Sequence, residues 1–453
     1  MEDICNICYT FAHRHKFFAD HTMRRSSHYD DDDDEEHEKD KDGGQDPDVM
    51  DELARLTRKV DLNKSDCASD EVAEEREQMM LEAAEHIKMA RAQRKLYQDK
   101  VEAAQRTVDR PHSERTYTFV VDYGQNMSLP VFNSEQPGAT YYFSPMTVNN
   151  LGIVDHAHKY DDGKVGEHMH CHVYTDAVGK KGANNVASLI MKTLRHLNIL
   201  RDDSVGSELN IVFDNCTGQN KNNTVLRLAA WIAKLGYFLE VNFIFLIVGH
   251  TKNAADRLFN SLKVQYRKKN LFTFNQLVEA LGTSRTVTIY PAVSEDFLDY
   301  GDLFDFFYKK LVCQIKQNHI FSSTDGSEMV LRESVLHQEI TYPILKKDFK
   351  YLTHREVIEH GNEELRMLEW QGINPYKVYE LFKNFRPFVP VEFQSDPMYA
   401  EPSPEVLAKV KAEMVDRKEF RATLKRKKYD RTKEQLETVA FGDDEDEADG
   451  AVM

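Results

Sequence analysis

The stretch that most constrains the fold is Leu209–Arg267, which sets two apolar runs and two amphipathic segments in alternation. Leu209-Asn210-Ile211-Val212-Phe213 ends in Asp214, and a polar loop follows, Asn215-Cys216-Thr217-Gly218-Gln219-Asn220-Lys221-Asn222-Asn223. Val225, Leu228, Ala229, Trp231, Ile232 and Leu235 then recur at three- and four-residue spacings until Gly236 stops them. A second apolar run, Val241–Val248, leads through Gly249-His250-Thr251 into a helix from about Asn253. Short apolar runs alternating with helical periodicity read as strand–helix–strand–helix, the signature of an α/β fold. Asp214 stands at the tip of the first strand and Asp256 in the first turn of the last helix. In open α/β sheets such strand tips are where ligands bind.

On the last helix Asp256, Asn260, Lys263 and Arg267 recur at i, i+4, i+7 and i+11 and so share one face, beside an apolar stripe of Phe259, Leu262 and Tyr266. A carboxylate followed by cations on one face suits a metal-bound phosphodiester whose strand runs along the helix. The plainer reading is an N-terminal Asp that offsets the helix dipole, with solvated lysines beyond it.

Upstream, the β-rich run Tyr117–Val121 leads to Asp122, then Tyr123-Gly124-Gln125-Asn126. Strands are expected at Met127–Phe132, Thr140–Thr147, Gly152–His156 and His168–Thr175, then a helix over Val186–Leu197. The order is therefore antiparallel-type strands, helix, strand, helix, strand, helix, with Asp122 on the first strand. That is a ribonuclease H-like order, a mixed sheet flanked by helices. It would gather three carboxylates from distant positions, and like charges so close need cations between them, which implies a two-metal Mg²⁺ or Mn²⁺ site. His168, His170 and His172 also share a strand face, but neighbours at i, i+2 lie about 7 Å apart, too wide for one ion. They read as a polar or DNA-facing patch.

With 453 residues the chain can hold several domains. The expected division is a possible zinc half-site at 1–28, an acidic disordered linker at 29–68 and a long helix at 69–110. A ribonuclease H-like core at 115–284, a C-terminal α+β region at 285–395 and a charged tail at 396–453 complete it. The net charge of −17 does not exclude a nucleic-acid partner. Residues 30–48 carry a net −10 and residues 443–449 a net −6, whereas Tyr117–Tyr290 is +3, with 17 basic against 14 acidic residues.

Six cysteines in a chain of this length are no disulfide scaffold, and no apolar run is long enough to span a bilayer. An intracellular, reducing setting without membrane contact is the expectation. The basic run Lys425-Arg426-Lys427-Lys428, within the strongly basic Arg417–Lys433, points to nuclear import or nucleic acid, or to a solvated helix. Cys5-x-x-Cys8 supplies half a tetrahedral Zn²⁺ site. His86, in the middle of the long Glu/Ala/Arg/Lys-rich helix, is a candidate third ligand; the alternative is a solvated or coiled-coil helix. With only four residues before Cys5, a truncated N-terminus is expected.

Several of these motifs together carry a resemblance. They are Asp214-Asn215-Cys216-x-Gly218-Gln219-Asn220-Lys221-Asn222, Gly249-His250-Thr251-Lys252, Asp256-Arg257-x-Phe259, Asp122-Tyr123-x-Gln125-Asn126 and Gly179-x-x-Gly182-x-Asn184. With the upstream Cys-x-x-Cys and a long His-bearing helix, the chain resembles a group of uncharacterised transposon-encoded proteins regarded as transposase-like, over roughly residues 115–290. The resemblance implies a ribonuclease H-like core of the DDE/D type. Asp122 and Asp214 would bridge two metals and Asp256 would hold the second. Asn215, Gln219, Asn220 and Lys221 would position the DNA backbone, alongside Asn260, Lys263 and Arg267. Members often carry an acid where Asn185 stands, so Asp176 is the nearer candidate for a fourth acidic group.

Three readings compete. The first is metal-dependent DNA strand cleavage and transfer, with a homo-oligomer possible. The second is a catalytically inactive transposon-derived DNA-binding protein. The third, another phosphoryl-transfer enzyme on a doubly wound sheet, needs a Gly-rich phosphate loop that Asp122-Tyr123-Gly124-Gln125-Asn126 does not supply.

Overall fold

A computed structural model describes residues 70–133, 136–247, 253–312, 315–415 and Thr423. Cys5 and Cys8, the acidic linker, the turn Gly249-His250-Thr251-Lys252 and the basic run at 425–428 lie outside the described residues.

The chain opens with α1 (Asp70–Thr107), β1 (Thr116–Tyr123), β2 (Met127–Leu129), β3 (Met146–Lys159) and β4 (Val165–Thr175). Then come α2 (Ala183–His196), β5 (Ser207–Phe213), α3 (Asn223–Lys234), β6 (Phe238–Phe245) and α4 (Ala254–Tyr266). Next are α5 (Phe274–Leu281), β7 (Val287–Pro291), α6 (Tyr300–Phe307) and the strands β8 (Ile320–Ser323), β9 (Glu328–Arg332) and β10 (Ile340–Pro343). Two short helices follow, α7 (His354–Glu364) and α8 (Pro375–Glu380), and residues 404–415 are also helical.

The ten strands of the described residues belong to one mixed sheet, in the order β10-β9-β8-β6-β5-β1-β3-β4-β7, with β2 paired to β3. The apolar runs β1, β5 and β6 lie parallel at its centre, where both faces are covered and no polar alternation is needed. β3 runs antiparallel to β1 and β4. Residues 285–395 join the same sheet at both edges: β7 pairs in parallel with β4, and β8 antiparallel with β6.

Helices cover both faces. One core packs α2, α3 and α6 against Val121, Leu151, Ile153, Ile211 and Phe213. The other packs α4 and α5 against Val120, Val154, Met169 and Val212. Helix α1 lies on this second face and is not a solvated or coiled-coil rod. Ala83, Ile87, Ala90, Tyr97 and Ala104 are buried along one side of it, and Gln93 donates to the carbonyls of Phe245 and His319 at 3.2 and 3.4 Å.

Two local expectations are corrected. The strand expected over Thr140–Thr147 is a 3-10 turn at Gly138–Tyr142 with Tyr141 and Tyr142 exposed; β3 starts only at Met146, after Pro145. It then runs 14 residues and absorbs the segment expected at Gly152–His156. Within the aromatic stretch Phe297–Ile315, only α6 is an α-helix. The Asp299 side chain caps its start at 3.1 Å from the Asp302 amide, and Tyr308 leaves it extended to bridge Leu345. Among the described residues no helix is long and apolar enough to cross a membrane.

A candidate carboxylate site

Strands β1 and β5 end together. Their parallel register closes with Val121 beside Phe213, so Asp122 and Asp214 are the next residues at the carboxyl ends of neighbouring strands. By strand alternation Asp122 shares the face of Val120, the face on which α4 packs. Two glycines let α4 come close. A Cβ at Gly124, or at Gly152 opposite Asp122, would lie 2.8 Å from ring carbons of Phe259, one turn beyond Asp256. Side chains there would lift the helix, and Asp256 with it.

The result is electrostatic convergence. Burial first, then the charges of Asp214 and Asp256, raise the Asp122 carboxyl to about 7; the Tyr123 backbone and the Asn253 side chain oppose the rise by hydrogen bonding. Asn253 also caps α4. Its side chain accepts from the Ala255 amide at 2.8 Å, and Asp256 accepts from the Asn253 amide at 3.2 Å in a capping box. Asp256 is exposed. Asp214 accepts from Asn220 Nδ2 at 2.5 Å and from the Cys216 amide at 3.2 Å, so its orientation is set by its own loop.

That loop departs from the expected division of labour. Asn220 and Lys221, expected to contact DNA, are buried. The Lys221 ammonium donates to Asn215 Oδ1 at 2.7 Å and to the Lys316 carbonyl at 2.9 Å, and burial lowers it to about 7. Asn215 in turn donates to the Leu246 carbonyl. These residues brace the strand tips from inside, because a polar loop folded back on a sheet must satisfy its own donors and acceptors. Gln219 is half-buried. On α4 Asn260 is exposed and Lys263 half-buried, with Arg267, Lys268 and Lys269 exposed just beyond its end.

Sequence reasoning passed over Lys181. Its ammonium reaches the Gly124 carbonyl at 3.1 Å and sits 4.7 Å from the centre of the Tyr123 ring. Burial lowers its pKa, while the charge of Asp122 raises it, so a cation lies near Asp122. The only signal was its place in the Gly179–Gly182 loop after β4. Asp176 is no free fourth acid: its carboxylate pairs with Lys377 and accepts from the Thr147 amide at 3.3 Å. Asn185 is buried in α2. His86 is buried on α1, and its expected partners Cys5 and Cys8 lie outside the described residues.

The donor set fits a hard divalent cation. Three carboxylates offer oxygen ligands, their mutual repulsion is registered at Asp122, and among the described residues none of the three is in an ion pair. Their oxygens do not form a set within 4.8 Å of one another; among the described residues Asp155, His158 and His170 do.

Neither the curated proteins nor the solved structures yield a match to this chain. Over residues 143–335, a span from β3 to β9 that includes Asp214 and Asp256 but not Asp122, the chain is similar to a family described as a domain of unknown function, DUF7869.

Proposed function

We propose that this chain is a transposase-like enzyme that cleaves and transfers DNA strands on a ribonuclease H-like core, with Asp122, Asp214 and Asp256 as its acidic residues. The observation that carries the reading is the placement of these carboxylates by β1, β5 and α4 near enough for the charges of Asp214 and Asp256 to add to burial in raising the Asp122 carboxyl to about 7. The sheet order β4-β3-β1-β5-β6, with β3 antiparallel to its neighbours and helices after β4, β5 and β6, supports the ribonuclease H-like assignment.

Asp122, Asp214 and Asp256 would hold Mg²⁺ or Mn²⁺, which when bound supplies Lewis-acid polarisation of the phosphate and an acidified water. The oxygen of water or of a 3′-hydroxyl would add to phosphorus and give its proton to solvent, as the bridging 3′-oxygen departs and takes a proton from solvent. Asn220 and the Cys216 amide keep the Asp214 carboxylate aimed throughout. Lys181 offsets part of the negative charge that a phosphate brings to Asp122. Lys263 on α4, with the exposed Arg267, Lys268 and Lys269 just beyond its end, gives a run of cations for the flanking backbone. Nuclear residence and self-association belong to the same proposal. The runner-up, an inactive DNA-binding protein, draws on Asp256, whose carboxylate already serves the capping box of α4.

A plasmid-nicking assay with purified chain and Mn²⁺ or Mg²⁺ tests this. The unmodified chain should nick DNA, and Asp214→Asn should lower the rate by about 10³-fold or more while DNA binding stays equal or tightens. Unchanged nicking by Asp214→Asn refutes the assignment. Binding without nicking by the unmodified chain turns the conclusion to the inactive protein.

A further inference from the structure

Strand β3 carries a register shift between Asp155 and His158. Asp155 pairs with His168 and His158 with Gly166, so three steps on β3 match two on β4. Without the extra residue His158 would point to the opposite face from Asp155; the bulge returns it to the same one. His170 on β4 shares that face, since its partner Ile153 lies two residues from Asp155. The consequence is a set of one carboxylate and two imidazoles whose ligating atoms all lie within 4.8 Å of one another.

We propose that Asp155, His158 and His170 form a binding site for a divalent transition-metal ion of the zinc class, separate from the three aspartates. The wide i, i+2 spacing that argues against an ion shared along β4 does not apply, because this set crosses two strands.

A second observation points to a ligand. His170 is 4% exposed, its Nδ1 lies 3.3 Å from the Tyr290 hydroxyl, and its Nε2 is buried with no hydrogen-bond partner. Buried polar atoms are seldom left so, and a cation supplies the missing partner. The surroundings are those of a supported ligand. Tyr290 is itself 3.0 Å from His196 Nε2, so the His170 ring is held through its other nitrogen, as metal-bound imidazoles usually are. Asp155 accepts from the Ala157 amide at 2.9 Å inside the bulge. The His158 ring stacks on His168 at 4.2 Å between centroids, and His168 is fixed by Thr288 at 2.8 Å. Two imidazole nitrogens and one carboxylate oxygen suit Zn²⁺, Co²⁺ or Fe²⁺ better than Mg²⁺, and three protein donors leave a coordination position open.

The test is a Co²⁺ titration of the chelator-treated full chain, followed by visible absorption, with Zn²⁺ competition. One equivalent should give d–d bands without thiolate charge transfer, which separates it from any ion held by Cys5 and Cys8. Because removing the buried His170 ring endangers folding, the variants are His158→Ala and Asp155→Asn at partly exposed positions, with circular dichroism as the folding check. Each should weaken that equivalent by more than the roughly 100-fold that loss of a supporting partner costs, while Asp214→Asn leaves it intact. A thiolate-free equivalent that persists unchanged in a folded His158→Ala chain overturns the proposal. So does an unmodified chain that binds no such equivalent. Neither result bears on DNA cleavage.

Discussion

Asp122→Asn should stabilise the metal-free protein, and the gain should grow with pH. The carboxyl titrates near 7 in the folded chain against a reference of 3.8, a rise of roughly three units. At 1.36 kcal/mol per unit this amounts to about 4 kcal/mol as an upper bound, burial and the charges of Asp214 and Asp256 being the causes. The sign follows from proton linkage. Below about pH 4 both states are protonated and wild type loses nothing. As pH rises, the unfolded chain ionises first while the folded chain keeps its proton. Stability therefore falls by up to about 1.4 kcal/mol per pH unit and levels off above about pH 7. Asparagine has no proton to lose, so its advantage should be about 1.6 kcal/mol at pH 5 and up to about 4 at pH 8. Urea denaturation of both proteins at pH 5, 6, 7 and 8 measures the difference. Added Mg²⁺ should then raise wild type at pH 8 by about 2.7 kcal/mol at a hundred times its dissociation constant, and the variant by less. A difference that is flat between pH 5 and pH 8 would refute the convergence of the three carboxylates.

Two further outcomes follow from the helix that brings Asp256 in. Gly152→Ala should cost about 1–3 kcal/mol, since its methyl meets Phe259 and the Met169 sulfur inside a filled core; an unchanged denaturation midpoint would mean that α4 does not depend on this close approach. Lys263→Ala combined with Arg267→Ala should lower the salt slope of DNA binding by about two units, equally on specific and random duplexes, and leave stability within about 0.5 kcal/mol. A slope equal to wild type in a binding titration would return α4 to an ordinary solvated face.

What could be read beforehand divides along physical lines. β1, β5 and β6 were legible because a strand covered on both faces must be apolar throughout. Helices α3 and α4 were legible from their three- and four-residue spacing. Asp122, Asp214 and Asp256 could be singled out because each stands at an element's end. β3 was legible only over Gly152–His156: its first half holds Asn149 and Asn150, which break the apolar pattern. Their place is explained only by distant partners, the Gly179 carbonyl for Asn149 at 3.3 Å and the Gln125 carbonyl for Asn150 at 3.1 Å. α1 was opaque for the converse reason. Its Glu, Ala, Arg and Lys suggest solvent, yet small and amphipathic residues let it lie flat on the sheet. Lys181 and the buried Lys221 show the same limit. Their roles depend on which strand ends their loops meet, and pairing between distant strands leaves no periodic trace.

The two candidate sites are tied through β3. Alternation assigns Gly152 to the α4 face, where its missing side chain admits Phe259, and Ile153 and Asp155 to the opposite face beside His170 and His168. Gly152 and Asp155 are three residues apart, so roughly 10 Å of strand separates the two sets along the chain. A slip of one residue in the pairing of β3 would undo both, putting Ile153 under Phe259 and turning Asp155 away from the histidines. The antiparallel pairing with β1 and β4 on either side holds that register. The donor chemistry differs where the geometry is shared: oxygens alone on one face, imidazoles with one oxygen on the other. Mg²⁺ should therefore report on the first face and Zn²⁺ or Co²⁺ on the second. A variant that weakens both responses at once is the mark of a shifted β3, not of a lost ligand.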